Sequence, residues 1–449
     1  MNLVKGNLTI RNAVESDAEQ LCAWWNDGEI MAHAGFPNGI GETPDRIRES
    51  LADDNDETHR RHIIELNGKP AGEMNYRNKG NKVAEIGIKI CDFGRQEKGY
   101  GTTLLSIFID ALFTYYGYEK IILDTNTKNE RAQHVYEEKL GFRRIGIRKN
   151  SWRDQLGELQ SAVDFELTKD SWIAAHKEPL IYLHLRLERP DDYYAVENLT
   201  REAFWSSFWE SDKQICDEHL LVHKLRTCAA FVPELNFVAE LNGKLAGHII
   251  YSKSKIVDDS GAEHETLTFG PLSVLPEFQS AGIGKALLRH SLSEARRLGY
   301  RAVLIFGHAD YYPRVGFRRA AEFGITTSDG KNFDPFMAYP LYDGALDGVR
   351  GRYYLDPVYE TLTQEDVLEF DKKFPPKARH VPVSIDVLLN RLDSPAREAV
   401  QSLEFDTLAL LQTKSQREIA EFSGIDADAL RTIRAVMRQH GMRWGAGNS

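Results

Sequence analysis

The sequence predicts an α/β (α+β) chain: two copies of one plan, each a mixed sheet flanked by helices, then a small all-α module. Three observations predict it. Glu65-Leu66-Asn67-Gly68-Lys69-Pro70-Ala71-Gly72 recurs 175 residues later as Glu240-Leu241-Asn242-Gly243-Lys244-Leu245-Ala246-Gly247, each followed four residues on by a tyrosine (Tyr76, Tyr251). Downstream of each copy stands Gln96-Glu97-Lys98-Gly99-Tyr100-Gly101 or Gln279-Ser280-Ala281-Gly282-Ile283-Gly284. Beyond the connector Lys372-Lys373-Phe374-Pro375-Pro376-Lys377 no strand pattern remains. A repeat this long is one supersecondary plan used twice.

The first copy begins with a strand at Leu8-Thr9-Ile10-Arg11 and a helix after Glu15-Ser16-Asp17, where Ser16 or Asp17 can cap. Asn67-Gly68 between two apolar runs is a two-residue hairpin signal. Val83 to Ile90 alternates as a strand, and the glycine loop follows. Then come an amphipathic helix (Thr102 to Tyr116), a strand (Ile121 to Thr125) and a helix (Asn129 to Lys139). Alternation of this kind suggests a mixed sheet with helices on both faces. The second copy repeats the order. Strands at Phe237–Glu240 and Ala246–Tyr251 flank Asn242-Gly243, and a polar insertion lies near Asp258–Gly261. A strand (Leu267 to Leu275), the second loop, a helix (Lys285 to Leu298) and a strand (Ala302 to Phe306) complete it. Ser384 to Trp444 reads as short helices, one capped by Ser394 with Pro395 at its first position. Domains are expected at 1–175, 183–380 and 385–449.

At 449 residues the chain is long enough for about three domains with their own cores. A net charge of −11 argues against a surface that coats nucleic acid or anionic membrane throughout. Cys22, Cys91, Cys216 and Cys228 lie far apart without CxxC spacing, as buried thiols of a reducing cytoplasm do. The first residues lack the apolar core of a signal peptide, and no apolar run approaches ~18 residues, so neither export nor a membrane span is expected. No metal-ligand spacing is expected to act.

A Gln-x-x-Gly-x-Gly loop between strand and helix presents backbone N–H groups at the positive end of the helix dipole, which suits a phosphate or pyrophosphate. A Walker A loop fails, because Ala286 follows Gly284-Lys285 and Gln279 stands where the first Gly belongs. A dinucleotide fingerprint fails, because Leu104 and Leu287 occupy the third small position. A coenzyme A pyrophosphate cradle is the third reading, beside a tight strand-to-helix turn that needs glycine for geometry alone.

At these residues the chain resembles the GNAT N-acetyltransferases, whose central motif is Gln/Arg-x-x-Gly-x-Gly/Ala after a bulged strand. Motif endings Tyr136…Gly141-Phe142 and Tyr312…Gly316-Phe317 extend the resemblance over about 5–175 and 183–345. It implies acetyl-CoA as cofactor. Gln96, Lys98, Gly99, Gly101 and Thr102 would meet its pyrophosphate in the first copy, and Gln279, Ala281, Gly282, Gly284 and Lys285 in the second. Backbone of Ile88 to Ile90 and Leu272 to Val274 would pair with the pantetheine arm like an added strand. Asn129 matches the family's cofactor-contacting asparagine; His308-Ala309-Asp310 stands there in the second copy.

Acetyl transfer from a thioester needs a deprotonated amine, a stabilised oxyanion and a protonated leaving thiolate. The resemblance makes Tyr136 and Tyr312 the acids. Tyr312 has three residues before its Gly-Phe pair, but Tyr136 has four, Glu137-Glu138-Lys139-Leu140. One extra residue rotates a helix by about 100°, so either the helix bulges or Tyr136 is displaced. Glu85 and Glu73 are the candidate bases of the first copy; the second is left with His248, His308 or water. Trp24-Trp25-Asn26-Asp27, Phe204-Trp205-Ser206-Ser207-Phe208-Trp209 and Trp152-Arg153-Asp154 are candidate acceptor walls or core.

The tail resembles the C-terminal domain of the RNA polymerase α subunit, a helix-hairpin-helix module, with Asp426 replacing the second glycine of its Gly-Ile-Gly hairpin. That carboxylate opposes phosphate binding, while Arg431, Arg434 and Arg438 share one helical face. The expected activity is transfer of acetyl from acetyl-CoA to a primary amine of a small molecule or peptide. The alternatives are an acyl-CoA-binding regulator that reaches DNA or transcription machinery through the tail, and a scaffold with one silent half.

Overall fold

The computed structural model describes residues 1–92, 99–178, 180–205, 215–377 and 383–440. The chain forms two compact units, Met1–Arg186 with Ala239–Lys244, and Leu187–Val238 with Leu245–Ser449.

The first unit runs β1 (Asn2–Lys5), β2 (Leu8–Asn12), α1 (Ala18–Trp25), α2 (Gly28–Met31), α3 (Pro44–Ala52), β3 (His59–Leu66), β4 (Lys69–Asn78) and β5 (Val83–Ile90). There follow α4 (Tyr100–Thr114), β6 (Lys120–Asn126), α5 (Glu130–His134), β7 (Arg143–Arg153), β8 (Leu159–Thr168) and α6 (Lys169–Ala175). With β9 (Leu183–Leu187) beside β1, the sheet order is β9-β1-β2-β3-β4-β5-β6-β8-β7. Only β5 and β6 pair in parallel in this order, in register from Val83↔Lys120 to Glu85↔Ile122. Beyond Glu85 the two strands part.

Local chemistry explains these elements. Asn67 (φ 55°) and Gly68 (φ 73°) both take the left-handed conformation that a two-residue hairpin requires, and Asn242 (φ 53°) and Gly243 (φ 75°) repeat it. Helix α4 buries Leu104, Leu105, Ile107, Phe108, Ile109, Ala111, Leu112 and Phe113, so apolar burial rather than capping holds it. Ahead of α1, neither Ser16 nor Asp17 caps as expected. A 3₁₀ turn at Glu15–Asp17 intervenes, and the Asp17 carboxylate accepts from Val14 N at 2.9 Å and from the Arg11 guanidinium at 2.7 and 2.8 Å. After α5, Val135–Lys139 forms a π turn, with Leu140 N donating to Val135 O at 3.1 Å. The extra residue after Tyr136 is absorbed there as a bulge, one of the two outcomes its spacing allowed.

Along the second half, α7 (Tyr193–Phe204) and α8 (Glu218–Leu225) precede β10 (Phe237–Leu241) and β11 (Lys244–Val257), of which Ala239–Lys244 count with the first unit, then β12 (Glu263–Val274) and α9 (Ile283–Arg297). Next come β13 (Ala302–Phe306), β14 (Arg318–Arg319), β15 (Ile325–Thr327), β16 (Phe336–Pro340), β17 (Gly351–Tyr354) and α10 (Gln364–Asp371). Strands β12 and β13 are parallel and register at Leu267↔Val303 alone, so this pair also splays. On β12, Gly270 and Pro271 stand opposite the single residue Ile250, a β-bulge. The corresponding β4–β5 ladder is continuous from Asn78↔Ala84 to Gly72↔Ile90. The bulge the resemblance implies is therefore a property of the second unit.

The tail forms α11 (Asp386–Leu389), α12 (Ser394–Gln401), α13 (Gln416–Ala420) and α14 (Ala427–Gln439) around its own core of Leu388, Leu392, Val400, Leu408, Leu411, Ile419, Ile433 and Val436. Helix α12 starts one residue earlier than expected, with Asp393 at its N-cap and Ser394 donating to Glu398. Gly424 (φ 98°) approaches Pro395 so closely that a Cβ there would lie 2.5 Å from the Pro395 carbonyl oxygen.

Candidate active site

Both glycine loops end at a left-handed glycine on the N-cap of a 15-residue helix: Gly99 (φ 76°) before α4 and Gly282 (φ 85°) before α9. Neither helix start is capped by a side chain, so the first-turn amides keep donors for a ligand. Among the described residues, nothing beyond its own chain neighbours and helix backbone lies within 4 Å of the Cβ position of Gly101. That of Gly284 meets Tyr311 Oη at 3.4 Å, with Leu272 and Val274 beyond. Gln96 and Lys98 lie outside the described residues. Thr102 is half-buried, Ala281 and Lys285 are exposed, and Gln279 Nε2 donates to Val274 O at 3.4 Å.

In the second unit β12 reaches its helix start, where Val274 and Leu272 lie 3.6 and 3.8 Å from the Cβ position of Gly284. Ile88 and Ile90 are half-buried beyond the point where β5 leaves β6; Leu272 and Val274 are half-buried after the β12 bulge, with Ser273 buried between them. Asn129 caps α5, its Oδ1 accepting from Ala132 N at 3.2 Å.

Glu73 faces Lys89 across the β4–β5 ladder. Its carboxylate accepts from Trp25 Nε1 at 2.9 Å and pairs with Lys89 Nζ at 2.8 Å. Glu85, half-buried on β5, lies 3.6 Å from Lys79. Beside Glu73, burial pushes the Cys91 thiol up to about 12. Tyr136 is only 9% exposed, its ring among Phe142 and Phe165. Burial and then Asp124 raise its phenol to about 12. Tyr312 packs with Phe269, Phe317 and Tyr311, and burial raises its phenol as well. Both tyrosines hold their protons at neutral pH.

In the repeat, His248 stands where the first copy has Glu73, and Ser273 faces it as Lys89 faces Glu73. His248 is fully buried; its Nε2 lies 2.7 Å from Asn236 Oδ1, while Asn236 Nδ2 donates to Glu188 at 2.5 Å. Arg226 closes this network on Glu188 (2.9 and 2.5 Å) and Glu197 (2.6 Å). Ser273 donates to Thr200 of α7 at 3.0 Å. The other histidine, His308, is exposed, its carbonyl accepting from Tyr311 N. A second buried cluster pairs Arg201 with Asp371 at 2.6 Å, beside His219. Sequence reasoning missed both clusters, because their members are dispersed among ordinary charged residues.

Desolvation holds His248 and His62, which stacks on Tyr76 and stands edge-on to Phe108, neutral well below the usual imidazole range. A depressed folded pKa gives stability that is complete above the unfolded value and lost as pH falls through about 6.5. Each histidine is expected to cost about 1.4 kcal/mol per pH unit below that point. Urea unfolding at pH 7.5 and 5.5 reads this, and His62→Phe should remove its share of the slope.

The aromatic segments divide. Trp24 is core, Trp25 faces Glu73, Asn26 Nδ2 holds Glu42 O at 2.8 Å, and Asp27 caps α2. Trp152 packs on Gly35, where a Cβ would lie 2.2 Å from the ring; Asp154 accepts from Gln160. Trp205 lies buried under Arg201, whose guanidinium sits 4.4 Å from its ring; Ser206, Ser207, Phe208 and Trp209 lie outside the described residues. In the tail Asp426 caps α14 through Ala429 N at 2.8 Å, Arg431 pairs with Asp428 and Arg434 donates to Gln416. Among the described residues no cluster of three could hold a metal ion, and no helix is long and apolar enough to cross a membrane.

Family models for a GNAT acetyltransferase domain and the GNAT acetyltransferase family match residues 7–143 and 198–317. The chain is 30% identical to the uncharacterized N-acetyltransferase YhbS of Escherichia coli K12 over 168 residues, 37% of this chain and 92% of YhbS. The chain belongs to the GNAT acetyltransferase family. It carries two GNAT domains, and acetyl-CoA is the donor on which this family draws for transfer to an amine. The chain is also 37% identical to the uncharacterized N-acetyltransferase YjhQ of E. coli K12 over 91 residues, 20% of this chain, and spans about half (49%) of YjhQ. It is 30% identical over 126 residues to the spermidine N(1)-acetyltransferase of E. coli K12, 28% of this chain and 66% of that enzyme. Among solved structures it is similar to E. coli YhbS with CoA (24% identity, TM-score 0.36, 41% of this chain and 96% of that one). A spermidine N-acetyltransferase of Vibrio cholerae with CoA and spermine gives 25% identity and TM-score 0.35, over 38% of this chain and 99% of that one.

Proposed function

We propose that the chain is a two-site N-acetyltransferase acting on a primary amine of a small molecule or peptide, with one site in each GNAT domain. The observation that supports it most is the doubled arrangement of a splayed parallel strand pair, a left-handed glycine and an uncapped helix start. When bound, acetyl-CoA supplies an activated carbonyl and a thiol leaving group. The chain's own groups supply binding and proton transfer. First-turn amides of α4 and α9, with the loop residues named above, would grip the diphosphate, and the backbone at Ile88–Ile90 and Leu272–Val274 would orient the arm.

Glu73 is favoured over Glu85 as proton acceptor, because it lies opposite the cofactor strand at Lys89 and takes its indole bond from an acceptor-side helix. Tyr136 and Tyr312 keep the proton that a departing thiolate requires. The second site has neutral His248 at the matching position, and burial opposes its charging, so water is the better proton acceptor there. We extend the proposal to domains at 1–175, 183–380 and 385–449. Helices α13 and α14 around Gly424 support a helix-hairpin-helix-like tail, and Asp426 on the α14 amides disfavours phosphate there.

The similarity to a spermidine acetyltransferase puts polyamines first among acceptors to try. A thiol-release assay with acetyl-CoA across polyamines, amino-acid amides and peptides is expected to show turnover at least tenfold above acetyl-CoA alone with one class. Tight coenzyme binding without release on any amine would leave the scaffold reading instead.

A further inference from the structure

The two sites differ at the position opposite the candidate base. In the first, the group opposite the candidate base is a primary amine. Lys89 lies on β5 between Ile88 and Ile90, in the segment whose backbone the proposed function assigns to the pantetheine arm, and the inference rests on that reading. Directly opposed residues of an antiparallel pair project to one face, and Lys89 opposes Glu73. Its Nζ stands 2.8 Å from Glu73 Oε1, within proton-transfer distance. Glu73 is nearly covered (8%) and oriented by Trp25, while the Lys89 side chain keeps 32% of its surface open. The second site places Ser273 and His248 at the matching positions and has no amine there.

We propose that the first GNAT domain acetylates its own Lys89. The Lys89 ammonium gives one proton to Glu73, and the freed Nζ lone pair bonds to the thioester carbonyl carbon. The carbon–sulfur bond breaks with its electron pair on sulfur, and the thiolate takes a proton. Lys89 loses its second proton as the amide forms. Lysine and acetyl-CoA thus become Nε-acetyl-lysine and coenzyme A, with one proton released to solvent and no oxidant or other co-reactant. The product amide carries no charge, so the ion pair with Glu73 is lost and the carboxylate is left to receive a proton from an outside acceptor.

The test uses the full chain with isotopically labelled acetyl-CoA, followed by proteolysis and mass mapping of every lysine. Lys89 is expected to reach an occupancy at least tenfold above any other lysine. Gly101→Glu, Glu73→Gln or a hundredfold excess of unacetylated coenzyme A should each reduce it at least tenfold, and Gly284→Glu should leave it unchanged. Lys89→Arg, which keeps the ion pair, should remove the major labelled site without moving label to a neighbour. An unlabelled Lys89, or equal labelling in Gly101→Glu and under excess coenzyme A, overturns the proposal. Thiol release to an outside amine with Lys89 unlabelled would sink self-acetylation while leaving the proposed function standing.

Discussion

Gly101→Glu and Gly284→Glu are each expected to remove one of two coenzyme A binding equivalents from the chain, weakening the altered site about 100-fold or more. Glycine at these helix starts leaves room for an anion; a glutamate there places its own carboxylate where the diphosphate would sit. Like charges so close cost several kcal/mol, and about 3 kcal/mol corresponds to about 100-fold in affinity. The fold should not suffer. The Cβ position of Gly101 is open and that of Gly284 makes only an ordinary contact with Tyr311. Replacing a helical glycine gains up to ~1 kcal/mol, and an acidic group in the first turn complements the helix dipole. Calorimetric titration of wild type and both variants reads the stoichiometry directly. Two undiminished equivalents in both variants would mean the cradles are misassigned.

Arg226→Met is expected to be the most destabilising single change away from the site, by about 3–5 kcal/mol, the cost of stranding a buried charge. The Arg226 side chain is 3% exposed and stands between the fully buried side chain of Glu188 and that of Glu197, 7% exposed. Desolvation pushes the Glu188 carboxyl up even with its partner present, so without Arg226 it would protonate or draw in water. Asn236 and His248 depend on Glu188 for their orientation, so the loss reaches β11 opposite Ser273. Urea unfolding at pH 7 measures the effect. Adding Glu188→Gln and Glu197→Gln to Arg226→Met should recover part of it, because no charge is then left unpaired. A loss under 1 kcal/mol would mean that solvent reaches the network.

Much of the plan was legible in the primary structure because it rests on local rules. Asn67-Gly68 and Asn242-Gly243 turn because a two-residue hairpin needs positive φ at both positions. Gly99 and Gly282 mark helix starts for the same backbone reason. The added residue after Tyr136 announced a bulge or a displacement, and the π turn is the bulge. Other features had no local signal. The Glu73–Lys89–Trp25 cluster joins three elements, and whether β5 or β12 bulges is fixed by its pairing with the neighbouring strand. The buried Arg226 and Arg201 networks are composed of residues whose types are common on any surface.

By itself the sequence determined the duplicated α/β plan, the two glycine-led helix starts and the family, since each depends on residues adjacent along the chain. Only the tertiary structure decided which carboxylate faces β5 at Lys89, that an amine stands beside it in one half alone, and that burial keeps His248 neutral. Those properties depend on burial and on distances between remote strands and helices. Burial and distance set proton affinity, and neither is written in the order of residues.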